Sequence, residues 1–286
     1  MMVSERVLKE KIVEQYDAVS RQFSISKGVL FRDFVKHMEV SKLLLEKLET
    51  RGRSAVVLDI ASGFAIPSRV LVSLGYENVF GTDSFLTASQ RTLSYSQQSL
   101  KMVEVRNIES QPLPFKDESV DIVCFLATIE HLHNSPKRVM TEIKRVLKVG
   151  GIVMIDTPNI LELRKRLMLL AGKSIAPDIK FVYDHEYNSG HHREYTLEEL
   201  RSVVIWSGFK LIDARLLDCL SPLSVVKRIP HAKRDSGKGE IEQMTQFELG
   251  FHPTRMYDWI KPGFALLMKV MPQLRDTLLV VGRKES

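Results

Sequence analysis

Only two cysteines, Cys124 and Cys219, occur among 286 residues, and neither belongs to a C-x-x-C pair. A disulfide framework and a cysteine-rich zinc site are thereby excluded, and buried or idle thiols are expected. Nothing approaches the ~20 consecutive apolar residues of a membrane span. The N-terminus carries Glu5, Lys9, Glu10 and Lys11 where a secretory signal has its apolar core, so the expected compartment is the cytoplasm. Internal repeats and low-complexity tracts are missing too. Neither sign of charge dominates: 41 Lys and Arg stand against 35 Asp and Glu, a net charge of +6. The densest basic group, Lys227, Arg228, Lys233, Arg234 and Lys238, shares its stretch with Pro230, Gly237 and Gly239 and reads as a solvated loop. With no aromatic-rich basic stripe to stack bases, no nucleic-acid partner is expected.

A chain that is 44% hydrophobic at this length can bury a substantial core as one elaborated domain. Its most informative stretch is Val56-Val-Leu-Asp-Ile-Ala-Ser-Gly63, an apolar run ending in Asp59 and turning through small residues. The run suits a strand buried on both faces. Ala61, Ser62 and Gly63 lack the bulk that would hold a ligand off the backbone. The helix expected from Pro67 to Leu74 points its N-terminal N–H groups into the same space. This is a nucleotide-binding βα turn, but its small positions are spaced D-x-A-x-G-x-A, which is not the G-x-G-x-x-G of dinucleotide enzymes.

Four further segments follow in order. Asn78 to Asp83 reads as a second strand ending in an acid that can accept ribose hydroxyl protons. Val103 to Asn107 reads as a third strand. Leu113-Pro-Phe and Ser-Val-Asp121 lead into a fourth strand and then Glu130-His-Leu132. Arg145-Val-Leu-Lys-Val-Gly-Gly151 suits a helix C-terminus entering a fifth strand, Ile152 to Asp156. Together these resemble the class I S-adenosylmethionine (SAM)-dependent methyltransferases, in their ubiquinone-biosynthesis-like branch, over roughly residues 54 to 213. Alanines replace the outer two glycines of the first motif, Asn107 replaces an acid, and Val149 replaces a proline.

The resemblance implies an α/β, Rossmann-like sheet of seven strands, mostly parallel with the last antiparallel, and helices on both faces. It implies SAM as cofactor and S-adenosylhomocysteine as product. Carried onto this chain, Asp59 serves the ammonium side of the methionine moiety, Ala61, Ser62 and Gly63 make close backbone contact, and Asp83 holds the ribose. Asn107 and the Ile108 N–H serve the adenine, with Leu126 completing the cofactor site. Methyl transfer needs the acceptor atom brought to about 3 Å from the methyl group and aligned with the breaking bond. Glu130 and His131 are placed beside that group, His131 with the ordinary imidazole pKa of about 6.5 that suits a base. His191, His192 and Arg193 are expected to face the acceptor, and His192 joins Glu130 and His131 as a catalytic candidate.

The branch resembles a divalent-metal site with acids at the positions of Ala127 and Glu130. Alanine at the first of these argues against a metal, and no metal ligands are assigned. A zinc reading of Asp184 to Tyr195 lacks H-E-x-x-H, and His185 and His191 lack i, i+4 spacing. Residues 1–52 are expected to form a helical cap, with helices at 4–22 and 29–49, and 53–286 the core. Segments 158–195 and 215–276 interrupt that core as an acceptor-side lid, the second with an apolar helix around Trp259, Phe264 and Leu266. The Thr196 and Glu199 pair marks a helix start, strand six is expected at Phe209 to Ala214, and the last strand at Thr277 to Val281.

The reading is methyl transfer to a small-molecule or lipid-linked acceptor, at oxygen, with a second copy or a membrane surface as further candidate partners. Base methylation is disfavoured because N/D-P-P-Y/F and Pro-Cys are both missing. A nicotinamide reductase is disfavoured because Tyr257-Asp-Trp-Ile-Lys261 lacks its glycine fingerprint. The alternative that Ala61, Ala65 and Asn107 keep open is a catalytically silent SAM-binding scaffold, and a nucleic-acid or protein methyltransferase is the other alternative.

Overall fold

A computed structural model describes residues 3–23, 25, 30, 33–84, 100–176, 179–184, 190–219 and 266–286. Seven strands form one sheet in the order β3-β2-β1-β4-β5-β7-β6. They are β1 (Val57–Asp59), β2 (Val79–Asp83), β3 (Lys101–Glu104), β4 (Val120–Leu126), β5 (Leu147–Pro158), β6 (Lys210–Leu217) and β7 (Thr277–Arg283). Neighbours from β3 to β5 pair in parallel, whereas β7 runs antiparallel to both β5 and β6. The helices are α1 (Glu5–Phe23), α2 (Phe34–Leu48), α3 (Ile66–Ser73), α4 (Lys137–Val146), α5 (Leu163–Leu170), α6 (Ile179–Asp184) and α7 (Leu197–Trp206). None of the described helices is long and apolar enough to cross a membrane.

The apolar runs read as two-sided strands because successive side chains go to opposite faces. Leu58, Val123, Phe125, Val153 and Ile155 pack on one face against Met140 and Ile143 of α4 and Leu200 and Val204 of α7. Val57, Ile122, Cys124, Ile152 and Met154 pack on the other against Leu43, Leu44 and Leu48 of α2 and Leu71 of α3. Both cysteines are buried free thiols. The capping box of α7 is complete, with Thr196 Oγ1 accepting from the Glu199 N–H and Glu199 from the Thr196 N–H.

Three expected boundaries shift. Strand β3 ends at Glu104, so Asn107 lies in a turn three residues beyond it. Helix α4 stops at Val146, and Gly150 and Gly151 sit inside β5, because pairing begins at Val120 with Leu147 and resumes after an irregularity at Ile122 with Ile152. Strand β6 runs three residues past Ala214, to Leu217. The basic loop, His185, and most of the expected 215–276 lid with its Trp259 and Phe264 lie outside the described residues.

Helices α1 and α2 pack on α3 through Leu8, Ile12, Tyr16, Val19, Met38, Ile66 and Val70, which anchors the N-terminal segment to the helix of the nucleotide turn. At their junction the Tyr16 hydroxyl lies 2.7 Å from His37 Nδ1. Burial, aided by Lys36 and opposed by Asp33, lowers the His37 imidazole to about 4, and burial holds the Tyr16 phenol well above its ordinary range. With both groups neutral, the hydroxyl donates. A folded-state pKa below the unfolded one gives stability that is present above about pH 6.5 and is lost as pH falls toward 4. In urea unfolding, wild type should therefore lose about 2–3 kcal/mol relative to His37→Gln between neutral pH and pH 4. A stability difference independent of pH would refute this account.

Candidate functional site

The site is built at the carboxyl ends of β1, β2, β4 and β5, the edge where open α/β sheets bind ligands. The turn after β1 makes three left-handed residues: Ala61 at φ 52, Gly63 at φ 50 and Ala65 at φ 51. The two alanines thus adopt the backbone that glycine adopts freely, at the steric strain left-handed φ imposes on a side chain. They are held there by Ser62, whose N–H donates to Thr82 O at 2.8 Å and whose carbonyl accepts from the Ala65 N–H at 2.7 Å. The turn also seats against Gly81, where an added Cβ would meet Ser62 Oγ at 2.9 Å and Met102 Sδ at 2.6 Å.

Asp59 lies beneath this turn, 2% exposed, and accepts from Ser68 Oγ at 2.6 Å, which ties β1 to α3. Burial pushes its carboxyl up to about 7. Asp83, half-buried at the end of β2, accepts from the Gly63 N–H at 3.0 Å and from the Ser84 N–H at 2.7 Å, so it already orients the turn it faces. Asn107 is exposed, and its side-chain carbonyl accepts from the Glu109 N–H at 2.8 Å, closing a local turn. Ile108 and Leu126 are half-buried, and each packs on one face of the core.

At the end of β4 the chain turns at Ala127, φ 46, whose N–H donates to the Asp156 side chain across the gap to β5. A short 3₁₀ turn, Ile129–His131, follows. It buries Glu130 to 1% exposure, where Thr157 Oγ1 donates to Oε2 at 3.0 Å. Burial pushes Glu130 up to about 7 and raises Asp156, whose buried Oδ2 has no hydrogen-bond partner among the described residues. Lys36 reaches this group from α2. Burial opposes its ammonium, but Asp33, Asp156 and Glu130 outweigh that and hold its pKa above the ordinary lysine range.

The loop before α7 closes over Glu130, its His192 and Arg193 N–H groups donating to the Glu130 carbonyl at 2.8 and 3.2 Å. His191 turns toward the site and meets the His131 ring edge to face at 4.9 Å. His192, the expected catalytic partner, is exposed and lies tilted against exposed His133 with ring centroids 4.0 Å apart. Arg193 is exposed and pairs with Glu199 at 2.9 Å. Sequence reading missed Lys36, Asp156 and the chain behind His191, in which His191 Nδ1 lies 2.8 Å from Glu194 and Glu194 pairs with buried Lys165. The Leu-Pro-Phe segment serves the fold: Arg145 donates to the Leu113 and Phe115 carbonyls at 3.1 and 2.9 Å and pairs with Glu142 at 2.6 Å.

Comparison with known proteins bears on these residues. The family described as a methyltransferase domain matches residues 58–155, from β1 into β5. A probable SAM-dependent methyltransferase of Mycobacterium tuberculosis is 35% identical over 107 residues, 37% of this chain and 33% of that one. The mitochondrial ubiquinone biosynthesis O-methyltransferase of Dictyostelium discoideum is 28% identical over 115 residues, 36% of this chain and 35% of that one. The matches thus span about a third of the length of these curated relatives. A solved SAM-dependent methyltransferase from Archaeoglobus fulgidus shares the fold at a TM-score of 0.50 and 15% identity, covering 89% of this chain and 98% of its own. The nucleotide turn and the strand order thus coincide with a methyltransferase domain over residues 58–155, and the chain shares the fold of solved SAM-dependent methyltransferases.

Proposed function

We propose that this protein binds SAM across the Asp59 to Asp83 turn and transfers its methyl group to an oxygen of a small-molecule or lipid-linked acceptor held beside Glu130, His131 and His191. The observation that carries the reading is the convergence of three buried carboxyl groups, Asp59, Glu130 and Asp156, at one end of the sheet. Burial raises all three pKa values, and a cation entering among them would favour their ionised forms. SAM brings two positive groups, a sulfonium and an ammonium. The left-handed Ala61 and Ala65 keep the turn conformation despite the missing glycines, which removes one argument for a silent scaffold.

The cofactor already carries the activated methyl group, so the protein's work is to align the acceptor, exclude water and receive a proton where the acceptor retains one. His131, at the end of the 3₁₀ turn, is the residue assigned that last task. Asp83→Ala removes an acceptor of charge-assisted hydrogen bonds worth about 1.5–3 kcal/mol. Calorimetry should then show SAM affinity lower by roughly tenfold or more. Unchanged affinity would overturn the cofactor placement. SAM binding without methyl transfer to any acceptor oxygen would favour the silent scaffold.

A further inference from the structure

Arg69 stands in the first turn of α3 and reaches back to the nucleotide turn. Its Nε–H donates to the Phe64 carbonyl at 2.9 Å, and Nη2 donates to Gln22 Oε1 at 3.2 Å, near the end of α1. The rings of Phe23 and Phe64 meet edge to face beside these contacts, with centroids 5.4 Å apart. The guanidinium is thus held at the seam between the N-terminal helix and the turn, and both hydrogen bonds go to neutral oxygens.

Among the described residues no carboxylate pairs with Arg69, and burial holds its pKa below the ordinary arginine range. A half-buried cation without a counterion carries a desolvation cost that an arriving anion offsets. Lys36 is placed differently: it lies 3.5 Å from Asp33, and Asp156 and Glu130 also act on it. Arg69 directly follows Ser68, which donates to Asp59 at 2.6 Å. One short stretch of chain therefore brings together a buried carboxylate and an uncompensated guanidinium, charges that match the two ends of an α-amino acid. The positive end of the α3 dipole favours the same anion.

We propose that Arg69 binds the methionine carboxylate of the cofactor while Asp59 takes the adjoining ammonium, so that the turn recognises SAM by its amino-acid end. This rests on the reading that SAM occupies the Asp59 to Asp83 turn. The carboxylate is the one anionic group of SAM, and the residues assigned to the cofactor from the family resemblance include no cation. The guanidinium fork has N–H donors beyond those on Phe64 and Gln22, and its plane matches that of a carboxylate.

The test is calorimetry on the full chain with S-adenosylhomocysteine and with its decarboxylated analogue, which keeps the ammonium and lacks only the carboxylate. Wild type should bind the analogue roughly 10- to 100-fold more weakly, the worth of charge-assisted hydrogen bonds. Arg69→Gln should weaken S-adenosylhomocysteine by the same factor and leave the analogue nearly unchanged, so that the preference disappears, as expected of two groups in direct contact. Arg69→Lys keeps the charge without the fork and should fall between. Circular dichroism checks that the variants are folded, and either one alone carries the comparison. Equal losses for both ligands would show that Arg69 only ties α1 to the turn, and wild-type affinity for S-adenosylhomocysteine in a folded variant would show that the carboxylate lies elsewhere. Either result overturns the assignment and leaves the SAM reading standing. Failure of wild type to bind S-adenosylhomocysteine at all overturns both.

Discussion

Replacing His131 by alanine is expected to lower turnover by roughly 10²- to 10⁴-fold while leaving SAM affinity nearly unchanged. The selectivity follows from placement. His131 ends the 3₁₀ turn beyond β4, with its ring against His191, whereas the carboxylates assigned to the cofactor, Asp59 and Asp83, end β1 and β2. The change deletes a half-buried imidazole without opening the core, since Ile129 and Leu132 on either side supply the apolar packing. The measurement is steady-state turnover with a competent acceptor, paired with calorimetry of SAM binding. Full activity across about pH 6 to 9 would remove His131 from the proton path, leaving acceptor positioning to the His191 loop.

The second large effect is on stability. Lys165 sits in α5 with its side chain 7% exposed, contacting Glu194, lying 3.6 Å from Glu162 and donating to the Asn159 carbonyl at 3.3 Å. A buried carboxylate, Glu162, and a half-buried one, Glu194, thus share one ammonium. Removing one partner of a buried ion pair leaves uncompensated charge and costs about 3–5 kcal/mol. Lys165→Met keeps the aliphatic stem, and Arg164 on Glu162 and His191 on Glu194 remain, so a loss near the low end, about 3 kcal/mol, is expected in urea unfolding. Adding Glu194→Gln should recover part of the loss, the coupling expected of residues in one network. A change below about 0.5 kcal/mol in the single variant, the size usual for surface positions, would show that solvent already screens these charges.

The fold was legible because its signals are local. The apolar runs through Leu58 and Val123, the turn residues after Asp59 and the Thr196 capping box each declare an element within a few positions. Strand β3 misled because Val103-Glu-Val-Arg-Asn107 alternates like a strand, while pairing with β2 runs only from Lys101 to Glu104. The site was half legible. Glu130 and His131 stand out beside each other in the sequence, but nothing in Leu163-Arg-Lys-Arg-Leu167 distinguishes buried Lys165 from the charged residues on either side. Nor does spacing decide between His191 and His192. That choice depends on which ring the loop turns inward when its N–H groups dock on the Glu130 carbonyl, a tertiary contact.

Leu217, the last residue of β6, stands directly opposite Thr277, the first of β7. The chain therefore leaves the sheet and returns to it at paired positions of two antiparallel strands, at the edge farthest from β2 and β3. Whatever joins those points, its ends are already pinned together. Loop-closure entropy grows only with the logarithm of length, about 0.6 kcal/mol for each doubling. In evolutionary terms this junction is a nearly neutral exchange point. Connections of different length and composition can be traded there while the nucleotide half of the sheet keeps its register, so specificity can diversify without reopening the question of whether the protein folds.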